Sequence, residues 1–192
     1  GNPKAIIDRL QSLNIPVFAV NPRNLESLLQ TIQQIGAILN ASSKAKTLVE
    51  DMRSRLQRVD DLVSTIEHRP RVFIQFGISP IISAGSNSFI NERIVRAGGI
   101  NVAAGNSAYP HFRREQVLAL APDVLIITTM ARSGAFEKAQ ADWNRLSHMP
   151  AVRKNRINMV DSDGFDRPSP RLFDALEILT RLLHPQLFED GS

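Results

Sequence analysis

Apolar residues recur at three- and four-residue steps from Ala45 through Leu48, Val49, Met52, Leu56, Val59, Leu62 and Val63 to Ile66. They lie in a stretch, Asn40 to Arg69, that holds no Gly and no Pro. That spacing predicts one stripe of a single amphipathic helix. Asn40, Ser42 and Ser43 are candidate N-caps, and Pro70 permits a stop just after Arg69. At 1.5 Å per residue such a helix is roughly 40 Å long, longer than a small domain is wide. The stripe is narrow and its flanks are charged (Glu50, Asp51, Arg53, Arg55, Arg58, Asp60, Asp61). This suits either a coiled-coil seam or a strut between two lobes.

On its N-terminal side, Asn2 and Pro3 read as N-cap and first position of a helix facing inward through Ile6, Ile7, Leu10 and Leu13. Asn14 can close it in a left-handed turn. Ile15 to Val20 is apolar at every position, as a parallel strand covered on both faces reads. After a turn at Asn21 to Asn24, a second helix runs to about Leu39 with Leu25, Leu28, Leu29, Ile32, Ile35 and Leu39 inward. A doubly covered strand needs neighbours that these flanks do not supply, so the expectation is that preceding residues belong to the same sheet.

On its C-terminal side the pattern alternates between strand and helix. Arg71 to Phe76, Asp123 to Thr128 and Arg156 to Val160 read as strands, with Ile81 to Ala84 as a further short one. Helices are predicted after Asn87 or Ser88, closed by Gly98-Gly99, over Arg114 to Leu120, around Ala135 to Leu146, over Ala151 to Lys154, and from Leu172 to Leu183. Asn101 to Phe112 reads as irregular, and Ser162 to Pro170 as a loop. Strands separated by helices make an α/β fold with a parallel sheet the default.

Composition narrows the function classes. With 43% hydrophobic and 22% charged residues, the 192-residue chain can bury an ordinary core. Its net charge of +4 is spread through the chain rather than clustered with aromatics, which argues against a nucleic-acid partner. The absence of cysteine removes disulfides, thiolate chemistry and thiolate metal sites. No glycine-rich phosphate loop follows any strand, and the four histidines are scattered.

In an open parallel sheet, ligands bind beyond the C-terminal strand ends. Phe76, Tyr109, Phe112 and Phe165 fall in or beside the loops there, joined by Arg132, Arg167, Asp163 and Asp166. Aromatic walls with a few polar clamps suit a bulky, flat organic ligand. A metal-dependent α/β enzyme using His111, Glu115 and Asp163 is an alternative of another class. So is a coiled-coil interaction protein built on the long helix.

RVFIQFGISP (Arg71 to Pro80), Ser83-Ala84-Gly85, AGGINVA (Ala97 to Ala103), REQVLALAPDVLII (Arg114 to Ile127) and DRPSPR (Asp166 to Arg171) form a consecutive series. In order and spacing it resembles the helical-backbone (class III) periplasmic substrate-binding proteins of ABC importers, and most closely their vitamin B12-binding members. The resemblance implies two Rossmann-like lobes joined by one backbone helix: residues 1–39 a remnant of the first lobe, 40–69 the helix, and 70–192 the C-terminal lobe. It implies no enzymatic activity and no resident cofactor or metal. The implied ligand is a corrinoid, with haem or a ferric siderophore as the alternative.

By the same resemblance, Phe76 matches an aromatic lining the ligand cleft, and Tyr109 stands where a cleft tryptophan does. Asp163 and Arg167 match polar residues that hydrogen-bond the corrinoid's nucleotide end. Gly164 replaces an aromatic, and Phe165 keeps the next one. Glu115 matches a glutamate that docks onto the inner-membrane permease, which makes the permease the implied partner. The implied location is the periplasm, or the outer face of a membrane through a lipid anchor. The family's first lobe begins with strands and loops that precede this chain's first residue. A cleft with one wall buries about half its ligand, so these 192 residues are expected to bind cobalamin weakly or not at all. A stiff helix without a hinge also implies small ligand-induced motion.

Overall fold

The computed structural model describes residues 4–129, 134–165 and 169–188. The chain falls into two compact units, 1–49 and 50–192, and the division lies inside the long helix rather than at either of its ends.

The first unit holds α1 (Lys4–Ser12), α2 (Leu25–Ile38) and the start of α3 (Ser42–Ser64). Asn14 ends α1 in the left-handed region (φ 56°), with Asn14 N–H donating to Gln11 O and Ile15 N–H to Leu10 O. Asn40 (φ 52°) closes α2 the same way, through Asn40 N–H to Ala37 O and Ala41 N–H to Gly36 O. Asn is among the few non-glycine residues that enter this region cheaply, because its short amide bonds locally. Asn40 therefore closes the preceding helix rather than capping the next. At its other end α2 starts with a reciprocal box: Asn24 Oδ1 accepts from Ser27 N–H and Asn24 N–H donates to Ser27 Oγ. Gly36 is required where α2 meets α3, because a Cβ there would lie 2.3 Å from that of Ala45.

Two expectations fail in this unit. Ile15 to Val20 forms no strand, and Ile15 and Phe18 are 46% and 51% exposed. An apolar run becomes a strand only when a ladder partner exists, and among the described residues none pairs with it. The expected inner face of α1 buries nothing either, and Ile6 and Leu13 are exposed. In α2, Leu25, Leu28 and Leu29 are buried as expected, whereas Ile35 and Leu39 are not.

The stripe of α3 is buried at Ala45, Val49, Met52, Leu56, Val59 and Val63, alternating steps of four and three, with Leu48 half-exposed beside it. The stripe is thus covered within a single chain, which removes the need for a coiled-coil partner. The helix stops at Ser64, five residues before the expected end. Ser64 Oγ donates to Asp61 O and Thr65 Oγ1 to Leu62 O, so hydroxyls take the last carbonyls and the backbone is released. His68 therefore lies beyond the helix.

The second unit continues with β1 (Arg71–Gln75), β2 (Ile81–Ile82), α4 (Phe89–Arg96), β3 (Ile100–Asn101), β4 (His111–Phe112), α5 (Arg114–Ala119), β5 (Val124–Thr129), α6 (Gly134–Asn144), α7 (Pro150–Arg153), β6 (Ile157–Asp161), α8 (Ser162–Phe165), α9 (Arg171–Leu183) and a 3-10 turn, Pro185–Phe188. Four strands form a parallel sheet in the order β3-β1-β5-β6, flanked by helices, which is the expected α/β class. Ile81–Ile82 does not join it but pairs antiparallel with β4. The fourth parallel strand is Ile100–Asn101, within the stretch expected to be irregular. Two-residue strands are too short to show a period. Part of the expected 162–170 loop is likewise the short helix α8.

One face of the sheet packs Phe73, Leu125, Ile127 and Ile157 against Trp143, Met149 and Ala151. The second half of α3 is tied down by ion pairs. Arg55 grips Glu177 and Asp174 of α9 (Nε to Glu177 Oε1 2.7 Å, Nη2 to Asp174 Oδ1 2.5 Å), and Arg96 of α4 grips Asp60. At the N-terminal ends of the strands, Arg71 Nη2 donates to Leu120 O, and Arg156 Nη2 to Leu182 O and Leu183 O. Both arginines sit at helix C-termini, where cations offset the dipole. The basic residues at this pole therefore serve the fold.

Candidate functional site

The opposite pole carries the candidate site. β1 ends at Gln75, and Phe76 N–H donates to Ile82 O (2.9 Å), which draws β2 against the end of the parallel sheet. The intervening turn is tight: a Cβ on Gly77 would lie 2.6 Å from Pro80 O, and the Ser79–Pro80 peptide bond is cis. The β2–β4 pairing then runs on past its two rungs. Ser83 N–H donates to Pro110 O (3.0 Å), Gly85 N–H to Ala108 O (2.9 Å), Ser86 N–H to Gly105 O (3.2 Å), and Gly105 N–H to Ser86 Oγ (3.1 Å). Tyr109 sits between two residues whose carbonyls are both committed to this pairing, and its side chain is 62% exposed. Phe112 instead packs edge-on to Phe73 (centroids 5.2 Å apart, planes at 81°) and anchors the ribbon to the core.

Three buried polar groups hold this rim in shape. Gln75, 1% exposed, accepts the Trp143 indole N–H at Oε1 and donates from Nε2 to Gly77 O, both at 2.8 Å. Asn101 Nδ2 donates to Ala84 O (2.9 Å) and Asn91 Oδ1 (3.0 Å), while its Oδ1 accepts from Ala103 N–H (3.0 Å). Arg93, also 1% exposed, donates to Phe165 O and lies 5.3 Å from the Phe165 ring centroid. Sequence reasoning singled out none of these three. The one local signal was at Arg93, which shares an apolar helix face with Ile90 and Ile94.

Phe76 is half-buried where β1 meets β2, and Tyr109 is open on the segment that pairs with Ser83 and Gly85. Phe165, at 3% exposure, packs against Arg93 and also lines a pocket of about 370 Å³ with Met159, Val160 and Asp161 at the end of β6. Asp163 falls within α8, and its side chain lies outside the described residues, as do Arg132, Asp166 and Arg167. Glu115 is exposed on the first turn of α5. Among the described residues no group of three His, Asp or Glu side chains could hold a metal, and the Asp163 side chain needed by the proposed triad is not among them. Between α3 and α9 lies a groove of about 520 Å³ lined by Val59, Leu62, Ile178 and Phe188.

Displaced pKa values lie where the fold needs them. Burial raises the Asp123 carboxyl, but Lys154 Nζ (2.7 Å) and the Arg71 backbone N–H (3.0 Å) overcome this and hold it below the usual range. Burial pushes His184, at the end of α9, below the usual imidazole value. The Arg55 guanidinium is raised chiefly by its bond to Glu177, and Arg156 is lowered by burial.

The loops beyond the C-terminal ends of a parallel sheet are where small organic molecules bind in open α/β folds, and Phe76 and Tyr109 lie there. The chain belongs to the periplasmic binding protein family, whose sequence profile matches residues 3–163. It is 29% identical over 92% of its length to a vitamin B12-binding protein of Vibrio parahaemolyticus, and 29% identical over 96% to an uncharacterized ABC transporter substrate-binding lipoprotein of Bacillus subtilis. It spans 62% and 59% of those relatives, about three fifths of their length. The fold is similar to that of the apo periplasmic heme-binding protein RhuT of Roseiflexus sp. RS-1, with a TM-score of 0.82 over 97% of this chain and 73% of that one, at 24% identity. The family and these relatives are binding proteins, not enzymes. Among the described residues no helix is long and apolar enough to cross a membrane.

Proposed function

We propose that this protein is the extracytoplasmic binding component of an ABC importer and that it captures a corrinoid of the vitamin B12 type. The observation that carries this is the Phe76–Tyr109 rim, where one half-buried and one open aromatic lie on hydrogen-bonded segments beyond the C-terminal end of a parallel sheet. Flat macrocycles gain most from such stacking surfaces, because aromatic side chains offer large area at low conformational cost. Asp163 and Arg167 would clamp the polar end of the ligand, and exposed Glu115 would meet a basic residue of the permease. The named B12-binding relative supports the corrinoid, and the heme-binding structural neighbour supports a second reading on the same rim. In that reading Tyr109 or the adjacent exposed His111 would ligate iron.

The test is calorimetric titration with cobalamin, cobinamide, haemin and a ferric siderophore, extended to millimolar concentration. Preferential cobalamin binding, weakened at least tenfold in Y109A, is the expected result. Haemin binding with a Soret band that collapses in the Y109A/H111A double variant would establish the second reading instead.

A further inference from the structure

We infer that Trp143 and Gln75 are positioning residues for the ligand rim: the indole N–H orients the Gln75 amide, and the amide fixes the Gly77 carbonyl and with it the turn that presents Phe76. This rests on the rim being the binding site. Gln75 occupies the last position of β1, on the same face as Phe73, in an otherwise apolar cluster with Leu125, Ile127 and Trp143. A Leu or Met would fill that place without the desolvation cost of a buried amide, which is tolerable only when both of its ends are bonded.

The bonding is directional. An indole can only donate, so the amide must turn its oxygen to Trp143, which leaves its nitrogen aimed at Gly77 O. With the amide reversed, two donors would face each other and the Gly77 carbonyl would lose its partner. The ring of Trp143 is itself held in place, with the Arg114 guanidinium 5.1 Å from its centroid and Arg114 donating to Asp142 O. Helix α6, 68 residues along the chain from Gln75, thereby sets the shape of the rim.

The experiment compares W143F and the double variant Q75M/W143F with the natural chain by urea denaturation and by hydrogen exchange across residues 76–86, both without ligand. W143F strands the Gln75 oxygen and should lower stability. Removing both polar partners together should recover most of the stability, because no fully buried group is then left unpaired and the half-buried Gly77 carbonyl can turn to water. It should not restore the rim: exchange at the Phe76 amide should stay about tenfold faster than in the natural chain in both variants. Return of stability and of natural exchange together in the double variant would overturn the inference, as would exchange within twofold in W143F. If W143F does not fold, the double variant carries the test alone. Cobalamin titration is the second arm, with about tenfold weaker binding expected in the double variant. Where the natural chain binds too weakly to titrate, exchange alone decides the role of Trp143, while haemin binding in preference to cobalamin would overturn the corrinoid reading and leave that role standing.

Discussion

Adding a single methyl group at Gly85 tests how the rim is built. Gly85 lies where the chain after β2 runs beside the Gly105–Pro110 loop, and a Cβ there would stand 1.7 Å from Ser107 O and 2.9 Å from Ser107 C. These are backbone atoms, so no side chain can rotate away to make room. The loop has to retreat by roughly an ångström or more, since packed interiors leave no slack. That stretches Gly85 N–H to Ala108 O, now 2.9 Å, and Ser86 N–H to Gly105 O, now 3.2 Å, beyond bonding range. Two bonds at a net 0.5–1.5 kcal/mol each put the loss for G85A at about 1–3 kcal/mol. For a chain of this size each kcal/mol lowers Tm by ~2–4 °C, so the expected fall is about 2–12 °C. Thermal denaturation followed by circular dichroism reads it, and hydrogen exchange should localise it to residues 83–86. G105A is the control on the opposite side of the same loop. Nothing lies within 4 Å of a Cβ there, and its expected change is within about 0.5 kcal/mol. Equal melting temperatures for G85A and G105A would refute the reasoning.

Three further predictions concern the frame that carries the rim. M52A should cost about 2–5 kcal/mol in urea denaturation, because Met52 is 1% exposed on the α3 stripe, whereas L48A, beside the stripe at 39% exposure, should cost less than about 1. Asp123 is held below its unfolded value of 3.8, so the unfolded chain takes up its proton first on acidification. Its contribution is complete above that value and disappears as pH falls through the folded one. D123N should therefore be less stable than the natural chain at pH 7, and the gap should close below about pH 4. His184 behaves as a buried base: its folded pKa lies below 6.5, so below pH 6.5 the unfolded state binds the extra proton. Stability should then fall with acidification through the interval between the two values, by at most ~1.4 kcal/mol per pH unit. H184Q should flatten that part of a Tm-against-pH curve, and an unchanged slope would remove His184 as its source.

Local pattern settled much of this protein by itself. The stripe of α3, the three cores Val72–Ile74, Val124–Ile127 and Ile157–Val160, and the helix stops at Asn14 and Gly98 were all legible. Each depends on residues within a few positions of one another, and the order of its motifs placed the chain in its family. What depended on distant partners was not legible. Ile15 to Val20 has the composition of a strand but no ladder, and α3 ends where two hydroxyls capture its carbonyls. β3 and β4 are two residues long and exist only through pairing. Phe165 could be named from its place after a strand, whereas its packing against the buried guanidinium of Arg93, 72 residues away, could not. The rim shows the same division. Phe76 and Tyr109 could be named from their place after strands, whereas Gln75, Asn101 and Trp143, which hold them in position, look unremarkable in the chain. Their importance comes from hydrogen bonds that form only where the fold removes competing water.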